Sequence, residues 1–225
     1  MTQAPLIRYS RSASAPIDGV MVLLHGLGAN GYDFADLIPA FTATSSFNLK
    51  VILPHAPVRP LTIAGGEAVP SWYDILAMAE HRIVNEDQVQ HSVQMVGELL
   101  QSALTEVSAS QLILAGFSQG GAIALESFLT LPQAVGGCLA MSTYTLHDPP
   151  PAAGHPNQQT PILMQHGSLD PVVKFSLGQR SAKSLQTAGF QLSWQEYPMQ
   201  HQVCDAQILQ IRDWVIARLS AAQNK

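Results

Sequence analysis

Short, nearly continuous apolar runs alternate with longer amphipathic stretches along this chain. Val20–Leu24, Leu49–Leu53, Leu112–Ala115, Gly137–Met141, Ile162–Gln165 and Leu192–Tyr197 are the candidate strands. The first three are apolar on both faces, as parallel strands covered by helices on each side must be. Helical patterns lie between them. Asn85 predicts an N-cap, with Gln88 three residues on completing a capping-box-like pair. Val89, Val93, Val96, Leu100, Ala103, Leu104 and Val107 then share one face at helical spacing. Near the C-terminus Asp205 predicts the cap of a helix that buries Ile208, Ile211, Val215 and Leu219. Strand-then-helix alternation throughout predicts an α/β fold, a mainly parallel central sheet flanked by helices, as one domain over residues 1–225. No internal repeat or linker interrupts it. The Pro-rich, polar stretch His147–Thr160 reads as a surface loop.

Composition narrows the function. Hydrophobic residues make up 47% of the 225 positions and charged residues only 12%, so the chain has the means to build a core and is not disordered. The formal net charge is −5 and the eleven Lys and Arg residues are spread thinly, which argues against a nucleic-acid partner. Cys138 and Cys204 are too few for a disulfide framework and lie in no CxxC pair, so both read as small buried apolar residues. The N-terminal stretch has no apolar core of signal-peptide length, and no apolar run suffices for a membrane span. The cytoplasm is the expected compartment.

Chemistry in such sheets collects beyond the carboxyl ends of the strands. Directly after Leu112–Ala115 comes Gly116-Phe117-Ser118-Gln119-Gly120, a G-x-S-x-G between a strand and a helix-like stretch. That pattern suits a nucleophilic serine on a strained turn, flanked by positions small enough to let backbone pass closely. A serine hydroxyl needs a base, and the base an orienting acid, in chain order Ser, Asp or Glu, His. Among His147, His155, His166 and His201, only His201 follows the last strand and precedes the last helix. Asp170 lies in the tight turn HGSLDPVV after the preceding strand. Asp148, its main competitor, sits among prolines. Ser118, Asp170 and His201 are therefore the candidate triad. Activity should rise with pH as the His201 imidazole loses its proton, because only the neutral ring can act as base.

The first strand ends in His25-Gly26-Leu27-Gly28-Ala29-Asn30-Gly31, and Gly26, Gly28 and Gly31 spell the dinucleotide-binding G-x-G-x-x-G. That reading also needs an acidic residue at the end of the next strand. Leu53-Pro54-His55-Ala56-Pro57 supplies none. A hydrolase uses the same loop to bind an oxyanion, with one backbone N–H from it and one from the residue after the nucleophile. Leu27 and Gln119 are the candidate donors.

LHGLGANGYDF, LPHAPVRPLTIAGGEAVPSWYDI, GFSQGGAIAL, HGSLDPVV and YPMQHQVC together resemble the bacterial carboxylesterase and acyl-protein thioesterase (lysophospholipase-like) family of α/β-hydrolases. The resemblance runs from about Val20 to the C-terminus. It implies an α/β-hydrolase fold without a large lid domain, and Ser118, Asp170 and His201 as the triad. It implies that Trp72, Ile75 and Leu76 wall the acyl site, with Val172 and Leu177 lining the same groove. It implies an acyl ester or thioester substrate, either a small molecule or a lipid, no metal or organic cofactor, and a homodimer. The stretch after Met141 departs most from the family pattern. Two other readings compete: a hydrolase-fold binding protein without catalysis, and a serine peptidase of the same fold.

Overall fold

The computed structural model describes residues 3–78 and 82–223. Its centre is a seven-stranded sheet. In chain order the strands and helices are β1 (Leu6–Tyr9), β2 (Gly19–Leu24), β3 (Leu49–Leu53), β4 (Val58–Leu61), β5 (Glu67–Pro70), β6 (Ile75–Met78), β7 (Arg82–Val84), α1 (Glu86–Ala103), β8 (Leu112–Phe117), α2 (Gln119–Thr130), β9 (Gly137–Met141), β10 (Ile162–Gly167), α3 (Phe175–Ala188), β11 (Leu192–Tyr197) and α4 (Asp205–Gln223). The sheet order is β1-β3-β2-β8-β9-β10-β11, parallel except for β1, which runs antiparallel to β3 at one edge. β4 with β5, and β6 with β7, form two separate antiparallel hairpins.

Alternation along each buried strand feeds two cores. Val20, Val22 and Leu24 of β2 pack into the cluster that holds Val89, Val96 and Leu100 of α1 and Ile123 and Phe128 of α2. Met21 and Leu23 turn to the opposite face, with Ile211, Val215 and Leu219 of α4. The period of two in the strands and of nearly four in the helices thus meets on both sides of one sheet. Among the described residues no large separate domain stands beside it.

Several local expectations change. Asn85 does cap α1, accepting the N–H of Gln88 at 3.1 Å. The Gln88 side chain, however, accepts from the Asp74 N–H at 2.8 Å, while the Asn85 N–H donates to the Asp74 carbonyl. The reciprocal half of the box is spent on tying the helix start to the β6 entry. Asp205 is the first residue of α4, and the Cys204 carbonyl takes the first helical N–H, from Ile208. The Pro-rich stretch is more anchored than its composition suggests. Asn157 is fully buried, accepts the Val135 N–H at 3.0 Å and donates to the Phe128 carbonyl. Of the two free cysteines, Cys138 is buried, which pushes its thiol up, and Cys204 is half-buried.

Chain order sets where a ligand can sit. From β2 the chain crosses to β3 on one side and later to β8 on the other, so β2 and β8 are neighbours whose connections diverge. A crevice opens at the carboxyl ends of such a pair. Leu24 pairs with Gly116 across it, which brings the loop at Gly26 against the turn at Ser118.

Candidate active site

Ser118 occupies the junction between β8 and α2 at a φ of 54°, a left-handed conformation that costs a side-chain-bearing residue energy. Neighbouring glycines make the turn fit. A Cβ at Gly116 would overlap the Gly120 backbone, and one at Gly120 would overlap the carbonyls of Leu24 and His25. The G-x-S-x-G spacing is therefore a requirement of close backbone approach on both sides of the serine.

Three loops converge there. His201, between β11 and α4, places Nε2 2.9 Å from Ser118 Oγ and Nδ1 2.6 Å from Asp170 Oδ2. Asp170, in the turn after β10, accepts the N–H groups of Val172 (2.8 Å) and Val173 (2.9 Å) on its other oxygen. Burial pushes the Asp170 carboxyl up. The bond from His201 and the two backbone N–H groups outweigh this and hold it below the usual carboxylate value. Phe117 packs on the His201 ring at 4.8 Å between centroids.

Two peptide groups beside the serine are held from behind. His25 Nδ1 lies 2.7 Å from the Gly26 carbonyl, and His25 Nε2 accepts the Ala56 N–H at 3.0 Å, which makes Nδ1 the protonated nitrogen. Burial lowers the His25 pKa, in keeping with a neutral ring. In a trans peptide the C=O and the following N–H point oppositely, so this bond turns the Leu27 N–H away from His25. Likewise the Thr143 hydroxyl donates to the Ser118 carbonyl at 2.6 Å, which turns the Gln119 N–H to the opposite side. Among the described residues no acceptor takes either N–H. Gln119 is further fixed by its side chain, which accepts the Trp72 N–H and donates to the Tyr73 carbonyl. His25 and Thr143 escaped the sequence reading. A histidine directly before the glycine loop was the available signal for the first, and Thr143 had none.

A cavity of about 360 Å³ lies over these groups, lined by Leu27, Ile63, Ile75, Met78, Tyr144 and Val172 together with Ser118 and His201. Ile75 and Val172 thus stand where expected. Leu177 lines the adjoining cavity, which shares Met78, Arg82 and Val172 with the first. Trp72 and Leu76 depart from expectation. Trp72 is fully buried beneath the site and donates from Nε1 to the His25 carbonyl at 2.8 Å, so it supports the loop and does not wall the cavity. Leu76 sits at the irregularity of β6 between Ile75 and Ala77, is 42% exposed and is not among the residues that line the cavity.

The competing histidines and Asp148 stay apart from the serine. His147 pairs with Glu86 and Glu126, and His155 meets the Leu129 carbonyl. Asp148 borders a different surface hollow. His166 is buried inside β10 behind the acid, 3.5 Å from Asp170 Oδ2. The described residues contain no cluster of three or more metal-ligating side chains and no helix long and apolar enough to cross a membrane.

A parallel sheet carrying a serine on a strand-to-helix turn, with a histidine and a buried carboxylate behind it, defines a serine hydrolase of the α/β type. The sequence profile of the phospholipase/carboxylesterase family matches residues 10–218, and the chain belongs to that family. It is 34% identical over 217 residues to acyl-protein thioesterase 1 of Neurospora crassa, covering 91% of this chain and 89% of that one. It is 32% identical over 220 residues to the protein of the same name from Cryptococcus neoformans, covering 88% and 92%. Among solved structures, Zea mays acyl-protein thioesterase 2 superposes with a TM-score of 0.81 at 25% identity, covering 95% of this chain and 99% of that one. Arabidopsis thaliana SOBER1 gives 0.81 at 27% identity, covering 89% and 99%.

Proposed function

We infer that the chain cleaves short-to-medium acyl esters, acyl thioesters or lysophospholipids by two-step acyl transfer through Ser118. The observation that carries this reading is the continuous hydrogen-bonded line from Ser118 Oγ through His201 to Asp170. His201 Nε2 takes the hydroxyl proton as Oγ bonds to the carbonyl carbon. The N–H groups of Leu27 and Gln119 stabilise the oxyanion, each worth about 3 kcal/mol in the transition state. When the tetrahedral species collapses, the alcohol or thiol leaves with the proton from His201. Water, deprotonated by the same imidazole, then releases the acid and restores the serine. Asp170 keeps Nδ1 protonated and stabilises the imidazolium between transfers. Every step uses groups that the chain itself supplies.

Ile75 and Val172, with Leu177 beyond them, receive the acyl portion. Trp72 and Leu76 have no part in this. We also take the chain to act in the cytoplasm and to fold as one α/β domain and, on the family resemblance, to pair as a homodimer; sedimentation velocity tests the dimer. The chemistry has a direct test. A fluorophosphonate should label the protein at Ser118, and Ser118→Ala should lose both labelling and ester hydrolysis. Undiminished turnover in that variant removes the serine from the mechanism.

A further inference from the structure

A second cavity, of about 750 Å³, adjoins the one over Ser118, with Met78, Arg82 and Val172 common to both. Lys174 and Arg180 also line it, so three of the chain's eleven basic residues face one hollow. No Asp or Glu lines it among the described residues, although the chain as a whole carries a net charge of −5. The Arg82 guanidinium is held in place: Nη2 donates to the Val172 carbonyl at 2.8 Å, and the group lies 5.1 Å from the centre of the Tyr144 ring. Its Nε is buried and has no acceptor among the described residues. Lys174 is exposed and makes no ion pair among the described residues. The like charges of Arg82 and Lys174 repel one another across the concave wall, and an anion entering the hollow relieves that repulsion while the walls focus their field on it. An apolar chain against Val172 and Met78 would lead from the serine straight to these cations.

We propose that this hollow is a subsite for an anionic group, phosphate or carboxylate, carried by the ester or thioester substrate, with Arg82 and Lys174 as its principal counter-charges. The proposal rests on the serine-hydrolase reading and adds the substrate class: acyl compounds with an oxyanion a short distance from the scissile bond. Two matched substrate pairs test it. One is a p-nitrophenyl ester whose acyl chain ends in a carboxylate, against its methyl-capped counterpart. The other is a p-nitrophenyl ester whose acyl chain ends in a phosphate monoester, against its methyl-capped counterpart. The native enzyme should favour the anionic member of at least one pair in kcat/KM, mainly through KM, and the preference should fade with added salt. In Arg82→Gln/Lys174→Gln the anionic-to-neutral ratio of kcat/KM should fall about tenfold, as loss of a charged contact implies; Lys174→Arg should keep it. A response confined to one pair supports the subsite and identifies its source, carboxylate-tailed or phosphate-tailed acyl groups. A native enzyme with no anionic preference, or a double variant with an unchanged ratio, overturns the proposal. The underlying reading fails separately, if hydrolysis of the neutral members survives Ser118→Ala.

Discussion

Ser118 is held at both ends of its own backbone. Its N–H donates to the Met141 carbonyl at 2.9 Å, and its carbonyl accepts from the Thr143 hydroxyl at 2.6 Å and from the Ala122 N–H. These bonds supply what a left-handed serine needs to persist, and the last stretch of β9 and the residues after it deliver them. The same Thr143 bond fixes the plane of the peptide whose N–H faces the cavity. Thr143→Val should therefore lower kcat about tenfold with KM nearly unchanged, since a loosened donor costs less than a deleted one; Thr143→Ser should recover most of the rate. Equal kcat in the Val variant and the native enzyme would show that the N–H is aimed by other contacts. Asp170→Asn should lower kcat by about 10⁴, because an amide can present Nδ2–H to the ring and favour the wrong tautomer. Steady-state kinetics on a chromogenic ester measures both.

At the scale of elements, the turn between β8 and α2 leaves no room for a Cβ at Gly120. Gly120→Ala would drive a methyl into the carbonyls of Leu24, the last residue of the central strand β2, and of His25, which follows it. Overpacking of this kind costs about 1–3 kcal/mol. Thermal unfolding should show a lowered Tm, and turnover should fall further than stability because the Leu27 peptide is displaced; an unchanged Tm would mean that β2 yields. Most of these elements could be read in the sequence. Leu49–Leu53, Gly137–Met141 and Leu192–Tyr197 end where expected, since full burial or strict flanking turns mark them. The strand before Ser118 runs on to Phe117, and the one before Asp170 to Gly167, because pairing with a neighbour continues past the last apolar residue. β4 to β7 were illegible. They are short, mixed in character and pair only with each other, so neither period nor length distinguishes them from loop. Trp72 shows the same limit for the site. Its size foretold burial, but sequence alone could not say which side of the loop it would support.

For the molecule as a whole, acidity should act through its buried histidines. Burial lowers the pKa of His25 and of His166 below the ordinary 6.5, the Gly26 and Val173 carbonyls only partly opposing it. The unfolded chain binds protons at these residues as pH drops through 6.5, while the folded chain resists. Their contribution is full above that value and declines below it. His147 runs the other way. Burial lowers its pKa, but Glu126 and Glu86 more than compensate and raise it, so its contribution is present in acid and lost as pH rises through the raised value. It is largely solvated, and that term is small. Asp170, held low, contributes until the medium is strongly acidic. The denaturant midpoint should fall between pH 7 and pH 5; a flat profile over that window would mean that the two rings accept protons in place.

The strand order puts Ser118, Asp170 and His201 on the tips of the central sheet's strands, while much of the lining of the cavity over them comes from the β6–β7 hairpin and the segment leading into α3. Folding and preference are consequently written at different positions of the chain. Changes at the exposed positions of that hairpin and segment, Met78 and Val172, can alter the cavity while the buried Ile75, Val84 and Val173 stay in the core. Members of one lineage should then diverge in diet long before they diverge in shape.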